Sequence, residues 1–180
     1  LLTLLKELVS IDGIERIRCL YVYPENISDE FLEFFANEPK LVKYLDIPTQ
    51  HAADTVLKRM NRDLNNAQLV EVLGKVRDTV PGMAIRTSVM VGFPGETEEE
   101  FLELKNLIIE QKFTHLGCFK YSQEEGTVAG RMEGQIDDET KDRRYNEIME
   151  IQRDVSAEHM ESFVGKSCRY WSRDQAKKQL

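Results

Sequence analysis

With 180 residues, 41% of them apolar and 31% charged, the chain has enough hydrophobic material for one domain with a real core and is far from the composition of a disordered segment. Its 32 acidic against 24 basic residues leave a formal charge of -8, which disfavours general nucleic-acid binding and tolerates a basic protein partner. No apolar run approaches the roughly 20 residues of a membrane helix. Three widely separated cysteines, Cys19, Cys118 and Cys168, form neither a disulfide framework nor a metal-ligand spacing, so a reducing, cytoplasmic setting is expected.

The leucine-rich opening is interrupted by Lys6 and Glu7 within one turn and reads as a short amphipathic helix over 2–11, stopped at Asp12-Gly13, not as a signal peptide. A strand pattern over 17–23 is closed by Pro24. Ser28 is placed to cap a helix through Phe31, Leu32 and Phe35 that breaks near Asn37 and Pro39. A second strand covers 41–47. Asp54 is placed to cap a short helix through Val56, Leu57 and Met60, and Asn65 or Asn66 to start another through Leu69, Val72, Leu73 and Val76 that Pro81-Gly82 ends.

The third strand, 83–91, is followed by Phe93-Pro94-Gly95-Glu96, which suits a type II turn: proline presets the second position and glycine accepts positive φ at the third. Thr97 and Glu100 then form a capping box for a helix with Phe101, Leu104 and Ile108 on one face. Glu98, Glu99 and Glu100 complement the positive helix start and are not read as catalysts. A fourth strand at 114–121, a loop to Gly134, a long helix over 138–163 stopped at Gly165 and the start of another strand at 168–171 complete the pattern. Strands alternating with helices imply an α/β fold with a mostly parallel sheet. About four strands cannot close a barrel of about eight, which leaves a small open sheet or a section of a larger barrel.

Strands of parallel sheets are normally apolar on both faces. Here Ile85, Thr87, Val89 and Val91 alternate with Arg86, Ser88 and Met90, while Arg18 and Asp46 interrupt the other strands. Buried charges need partners, so these groups either pair with one another or await a polar ligand. Gln50, His51, Gly92 and Tyr121 fall at or just beyond strand carboxyl ends, where α/β proteins bind ligands. Phe93 could stack on a planar ring, or the turn could be only a turn. No nucleophile–base pair stands out.

Asp46-Ile47-Pro48-Thr49-Gln50-His51, Leu57-Lys58-Arg59-Met60-Asn61-Arg62, Val91-Gly92-Phe93-Pro94-Gly95-Glu96-Thr97 and Tyr121-Ser122-Gln123-Glu124-Glu125-Gly126-Thr127 resemble, in order and spacing, the radical S-adenosylmethionine methylthiotransferases. Leu116-Gly117-Cys118-Phe119 and the Glu124-Glu125 pair are most similar to the branch that modifies an aspartate of small-subunit ribosomal protein S12, and less to the tRNA-modifying branch. The resemblance implies that residues 1–164 are the carboxy-proximal portion of a radical S-adenosylmethionine barrel, contributing about four parallel strands with flanking helices to a (β/α)6 partial TIM-like barrel. Residues 165–180 would begin an incomplete, β-rich TRAM-like domain.

The full-length parent would use S-adenosylmethionine and two 4Fe–4S clusters. The cysteine motifs that hold such clusters are absent from this sequence, so no catalytic or metal residue is assigned and this stretch alone is expected to be inactive. By the same resemblance, Arg86 and Ser88 would meet polar groups of the methionine or ribose. Gly92, Phe93, Pro94, Gly95 and Tyr121 would surround the adenine, and Gln50 and His51 would face the reaction chamber. The partner of the parent would be ribosomal protein S12, with no membrane and no nucleic acid. A barrel lacking strands would expose an edge and self-associate. The readings to be separated from this one are a tRNA methylthiotransferase and a cluster-free acidic α/β module that grips a basic partner.

Overall fold

The strand with the strictest alternation, β3 (Ala84–Val91), lies inside a four-stranded sheet of order β1-β2-β3-β4, every neighbouring pair parallel, with β1 at Ile17–Cys19, β2 at Leu41–Asp46 and β4 at His115–Lys120. The computed structural model describes residues 1–167. The predicted strand at 168–171 and most of the expected TRAM-like segment lie outside the described residues. The helices are α1 (Leu2–Ser10), α2 (Asp29–Asn37), α3 (Asp54–Arg59), α4 (Asn66–Thr79), α5 (Glu98–Gln111) and α6 (Asp138–Glu161). None is long and apolar enough to cross a membrane.

Local chemistry sets most boundaries. The Ser28 hydroxyl accepts the Phe31 N–H, and reciprocal capping boxes form at Asn65/Gln68 and Thr97/Glu100. Two boundaries differ from the sequence pattern. The first strand ends at Cys19, not near residue 23, because its register on β2 shifts between Ile17 and Cys19 and Tyr21 takes φ +54°. The chain nevertheless returns to β2, where Val22 N–H donates to the Asp46 carbonyl at 2.8 Å. Nor does Asp54 cap α3: the cap position is Ala53, and the Asp54 carboxylate instead accepts the Asn66 N–H at 2.7 Å, securing the start of α4.

The helices cover one face of the sheet. Leu45, Ile47, Ile85, Val89 and Val91 join Phe31 and Phe35 of α2, Leu73 and Val76 of α4, Leu104 and Ile108 of α5 and Ile148 of α6 in one core. The other face carries Arg18, Asp46, Arg86, Ser88 and Phe119, and it stays open: Phe119 is 55% exposed. One covered and one polar, open face is the layering of a barrel section rather than of a doubly wound sheet. The outward edges of β1 and β4 pair with no other strand among the described residues. Self-association is expected through them, and light scattering on the intact chain tests it, a monodisperse monomer counting against it.

Candidate functional site

Beyond the carboxyl ends of β2 and β3 lies an open cavity of about 600 Å3 whose walls include Gln50, Met60, Asn61, Arg62, Met90 and Phe93, closed on one side by Val128, Ala129 and Met132 of the loop after β4. Gln50 reaches it from an unusual backbone. Its φ is +66°, held by two parallel-sheet bonds: its N–H donates to the Ser88 carbonyl at 2.9 Å and its carbonyl accepts from Met90 at 2.8 Å. A non-glycine residue in this region carries strain of about 1–3 kcal/mol, which persists only where the surroundings over-determine it.

Phe93 belongs to a small apolar cluster separate from the main core, with Ala53, Val56 and Tyr121, against which Met60, Met90, Ala129 and Met132 pack. The Phe93 and Tyr121 rings meet edge to face at 5.3 Å, so Tyr121 backs Phe93 and does not itself line the cavity. Its hydroxyl is buried without a partner. The turn after Phe93 has the expected form: Glu96 N–H donates to the Phe93 carbonyl at 2.9 Å, and Gly95 has φ +76°. Gly95 N–H in turn donates to the Gly134 carbonyl at 2.8 Å, which ties the turn to the loop before α6.

His51 and Gly92 lie behind the wall, not in the cavity. His51, with no exposed surface, accepts the Ala53 N–H on Nδ1 at 3.0 Å, so its ring hydrogen sits on Nε2, 3.3 Å from Glu96 Oε1. Glu96 Oε2 accepts the Gly92 N–H and lies 3.1 Å from the Arg144 guanidinium of α6. Arg144 also donates to the Glu96 carbonyl at 3.2 Å and to Glu98 at 2.6 Å. The expectation that His51 faces a reaction chamber gives way to a buried linking role, because both ring nitrogens are already engaged. Pro94 is buried in the turn.

Arg86 and Ser88 stand on the open sheet face, outside the cavity. Two of the polar strand residues pair with each other: Arg86 donates to Asp46 Oδ2 at 3.0 Å, with Asp46 fully buried. Asp46 Oδ1 is left without a hydrogen-bond partner. Arg18 stacks on Tyr44, its guanidinium carbon 3.6 Å from the ring centroid.

The cavity residues missed by sequence reasoning are chiefly Arg62, Asn61, Met60 and Met90. Arg62 and Asn61 fall in the 57–62 stretch that carried part of the resemblance, and that position was the available signal. The two arginines of this stretch differ in what they do. Arg59 is held by Glu100 through contacts of 3.1 and 2.8 Å, whereas Arg62 makes no ion pair among the described residues and only approaches the Tyr23 ring at 5.4 Å.

Burial raises the Glu100 carboxyl, but hydrogen bonds from Arg59, Thr55 and the Thr97 N–H, with the Arg59 charge, outweigh it and hold the group at about 2 against an ordinary 4.5. Because the folded value is the lower one, the stabilisation is complete above about 4.5 and is lost as pH falls toward about 2. Glu100→Gln is expected to flatten the acid limb of stability, read from urea midpoints at about pH 6 and about pH 3; an unchanged pH slope contradicts it.

Among the described residues no group of three or more His, Cys, Asp or Glu side chains is placed to hold a metal ion. Cys19 and Cys118 are buried; burial raises both thiols, and with the nearby Glu96 charge it pushes Cys118 up to about 12. These residues do not fit an iron–sulfur cluster, which requires thiolates converging on one point.

The sequence pattern of the Radical SAM superfamily matches residues 1–108. The chain belongs to the radical SAM superfamily. Membership implies S-adenosylmethionine and a 4Fe–4S cluster. The chain is 54% identical over 153 residues to the ribosomal protein uS12 methylthiotransferase RimO of Clostridium tetani, covering 85% of this chain and 34% of that protein. It is 48% identical over 164 residues to RimO of Bdellovibrio bacteriovorus, covering 91% and 36%. It therefore spans about a third of the length of the curated relatives it matches.

Among solved structures, coproporphyrinogen III oxidase HemN of Escherichia coli, described as a radical SAM enzyme, superimposes with a TM-score of 0.64 at 18% identity, over 76% of this chain and 32% of that one. Elp3 of Methanocaldococcus infernus does so with a TM-score of 0.53 at 14% identity, over 76% and 32%. These likenesses show the fold: the one-sided sheet is a section of a radical SAM barrel.

Proposed function

We propose that this chain forms part of the S-adenosylmethionine cradle of a methylthiotransferase that acts on small-subunit ribosomal protein uS12. The observation that carries the reading is the similarity to proteins named RimO along 85–91% of the chain, and the cavity supports it chemically. Its wall combines a planar ring and thioethers (Phe93, Met60, Met90, Met132) with two amides (Gln50, Asn61) and two cations without an ion-pair partner among the described residues, Lys58 and Arg62. An adenine requires the first, ribose hydroxyls and base edges the second, and an amino-acid carboxylate the third.

In this reading Arg62 binds the methionine carboxylate, Gln50 and Asn61 orient the nucleoside, and Phe93 with the methionines covers the base and excludes water. Pro94 and Gly95 shape the turn that presents Phe93, and Gly92 and Tyr121 support it from behind. Arg86 and Ser88 keep the barrel lumen polar beside the cavity. Bound S-adenosylmethionine supplies the radical chemistry that functionalises an unactivated carbon. The parent's two clusters, its cytoplasmic setting and its basic ribosomal partner belong to the same proposal; the charge of -8 agrees with the last.

Calorimetric titration of the chain with S-adenosylhomocysteine tests the cradle. Arg62→Met is expected to weaken binding about tenfold to a hundredfold, the worth of a charge-assisted hydrogen bond. Equal affinity removes Arg62 from the site. The substrate is tested in cells by deleting the gene: uS12 should lose the mass of a methylthio group while tRNA keeps its own. The converse result supports a tRNA methylthiotransferase and overturns the reading.

A further inference from the structure

The cavity wall is held from a distance. Two cations one turn apart on α6, Lys141 and Arg144, grip the 92–96 turn at both ends. The Lys141 stem lies over the Gly92 α-carbon, where a β-carbon would collide with its Cγ, and its ammonium reaches Asp138 Oδ1 at 3.2 Å. Arg144, 2% exposed, meets Glu96 through both the carboxylate and the carbonyl, and Glu98 beyond it. Its guanidinium carbon lies 5.4 Å from the Phe101 ring centroid, and its Nε is buried with no partner. Glu96 passes the constraint to His51, the residue next to Gln50, and His51 to the Ala53 N–H two positions further on.

As a stabiliser the arrangement is poor. Three buried polar side chains are desolvated, one donor is left unsatisfied, and an apolar replacement of similar volume commonly does as well or better. Its yield is geometry. It joins three separate segments, the loop after β2, the turn after β3 and α6, at fixed hydrogen-bond distances directly behind Gln50 and Phe93.

We propose that Arg144 is a positioning residue for nucleoside binding: through Glu96 it sets the 92–96 turn that presents Phe93, and through Glu96 and His51 it sets the segment that presents Gln50. This rests on the reading of the cavity as an S-adenosylmethionine cradle. No role in the chemistry itself is involved; Arg144 touches neither the cavity nor anything in it.

Two readouts on the intact chain test it: calorimetric affinity for S-adenosylhomocysteine, and amide hydrogen exchange of the peptide containing Gly92 and Glu96 with an α4 peptide as reference. Arg144→Met is expected to raise the dissociation constant about tenfold or more and to speed exchange at Gly92 while α4 stays protected. Arg144→Lys should recover part of both, since it restores the charge without the fork. Glu98→Gln removes the charge of an exposed carboxylate that anchors Arg144, loosens its hold on Glu96 without abolishing it, and should move both readouts the same way by less.

Affinity and Gly92 exchange within about twofold of the unsubstituted chain in a folded Arg144→Met chain overturn the proposal, as does the same result in both Arg144→Lys and Glu98→Gln should the methionine variant not fold. If the unsubstituted chain itself fails to bind S-adenosylhomocysteine, the cradle reading falls, and exchange at Gly92 still decides whether Arg144 holds the turn.

Discussion

Gly92→Ala should destabilise the chain by about 2–5 kcal/mol and shift its urea midpoint down accordingly. Two costs combine. Gly92 sits at φ +73°, a region where a β-carbon costs about 1–2 kcal/mol. The added carbon would also overlap the Lys141 stem near its base, at Cγ, and the residue is only 8% exposed, so it has little room to retreat. Overpacking of this sort costs about 1–3 kcal/mol. The same substitution displaces the Phe93 wall, so binding of S-adenosylhomocysteine should fall with stability. A midpoint change worth less than about 1 kcal/mol would mean that α6 does not press on the turn.

Glu96→Ala should be costlier, at about 3–5 kcal/mol, because removing one member of a buried ion pair leaves the other uncompensated. Arg144 would keep the backbone carbonyl of residue 96 but, of its carboxylate partners, only Glu98, itself 59% exposed, while His51 Nε2 and the Gly92 N–H would both lose their acceptor. Glu96→Gln retains the shape and one acceptor oxygen, so it should lose clearly less. Thermal or urea unfolding of the two variants side by side measures the difference. Equal losses would assign the effect to packing volume and not to the charge.

Patterning carried the fold a long way. The alternation of Ile85, Thr87, Val89 and Val91 with Arg86, Ser88 and Met90 identified β3 and both of its faces, and the first set is now fully buried under the helices. Capping chemistry located the starts of α2, α4 and α5, because a cap is a short-range bond that adjacent residues form by themselves. Where a boundary depended on a partner far along the chain, local signals failed. The end of β1 follows from a register shift on β2, and Asp54 serves the start of α4 instead of its own helix.

The site divides in the same way. Gln50, placed at a strand end by position, and Phe93, read as able to stack on a planar ring, both line the cavity. His51, Gly92 and Tyr121 support it from behind, since nothing local reveals that an imidazole at position 51 will meet a carboxylate at 96 and, through it, a guanidinium at 144.

What the amino-acid order determined by itself was the alternation of parallel strands with helices, the polar strand face, the type II turn with its capping box, and the lack of any cysteine cluster among these residues. All of these arise from interactions within about one or two turns or from simple periodicity. What only the tertiary structure decided was which polar groups are already satisfied. Asp46 is taken by Arg86, Arg59 by Glu100 and His51 by Glu96, while Arg62 remains at the cavity without an ion-pair partner among the described residues. The physical reason is that desolvation and pairing depend on atoms brought together from forty or more positions away, and the energy of a buried charge is set by those neighbours and not by its place in the chain.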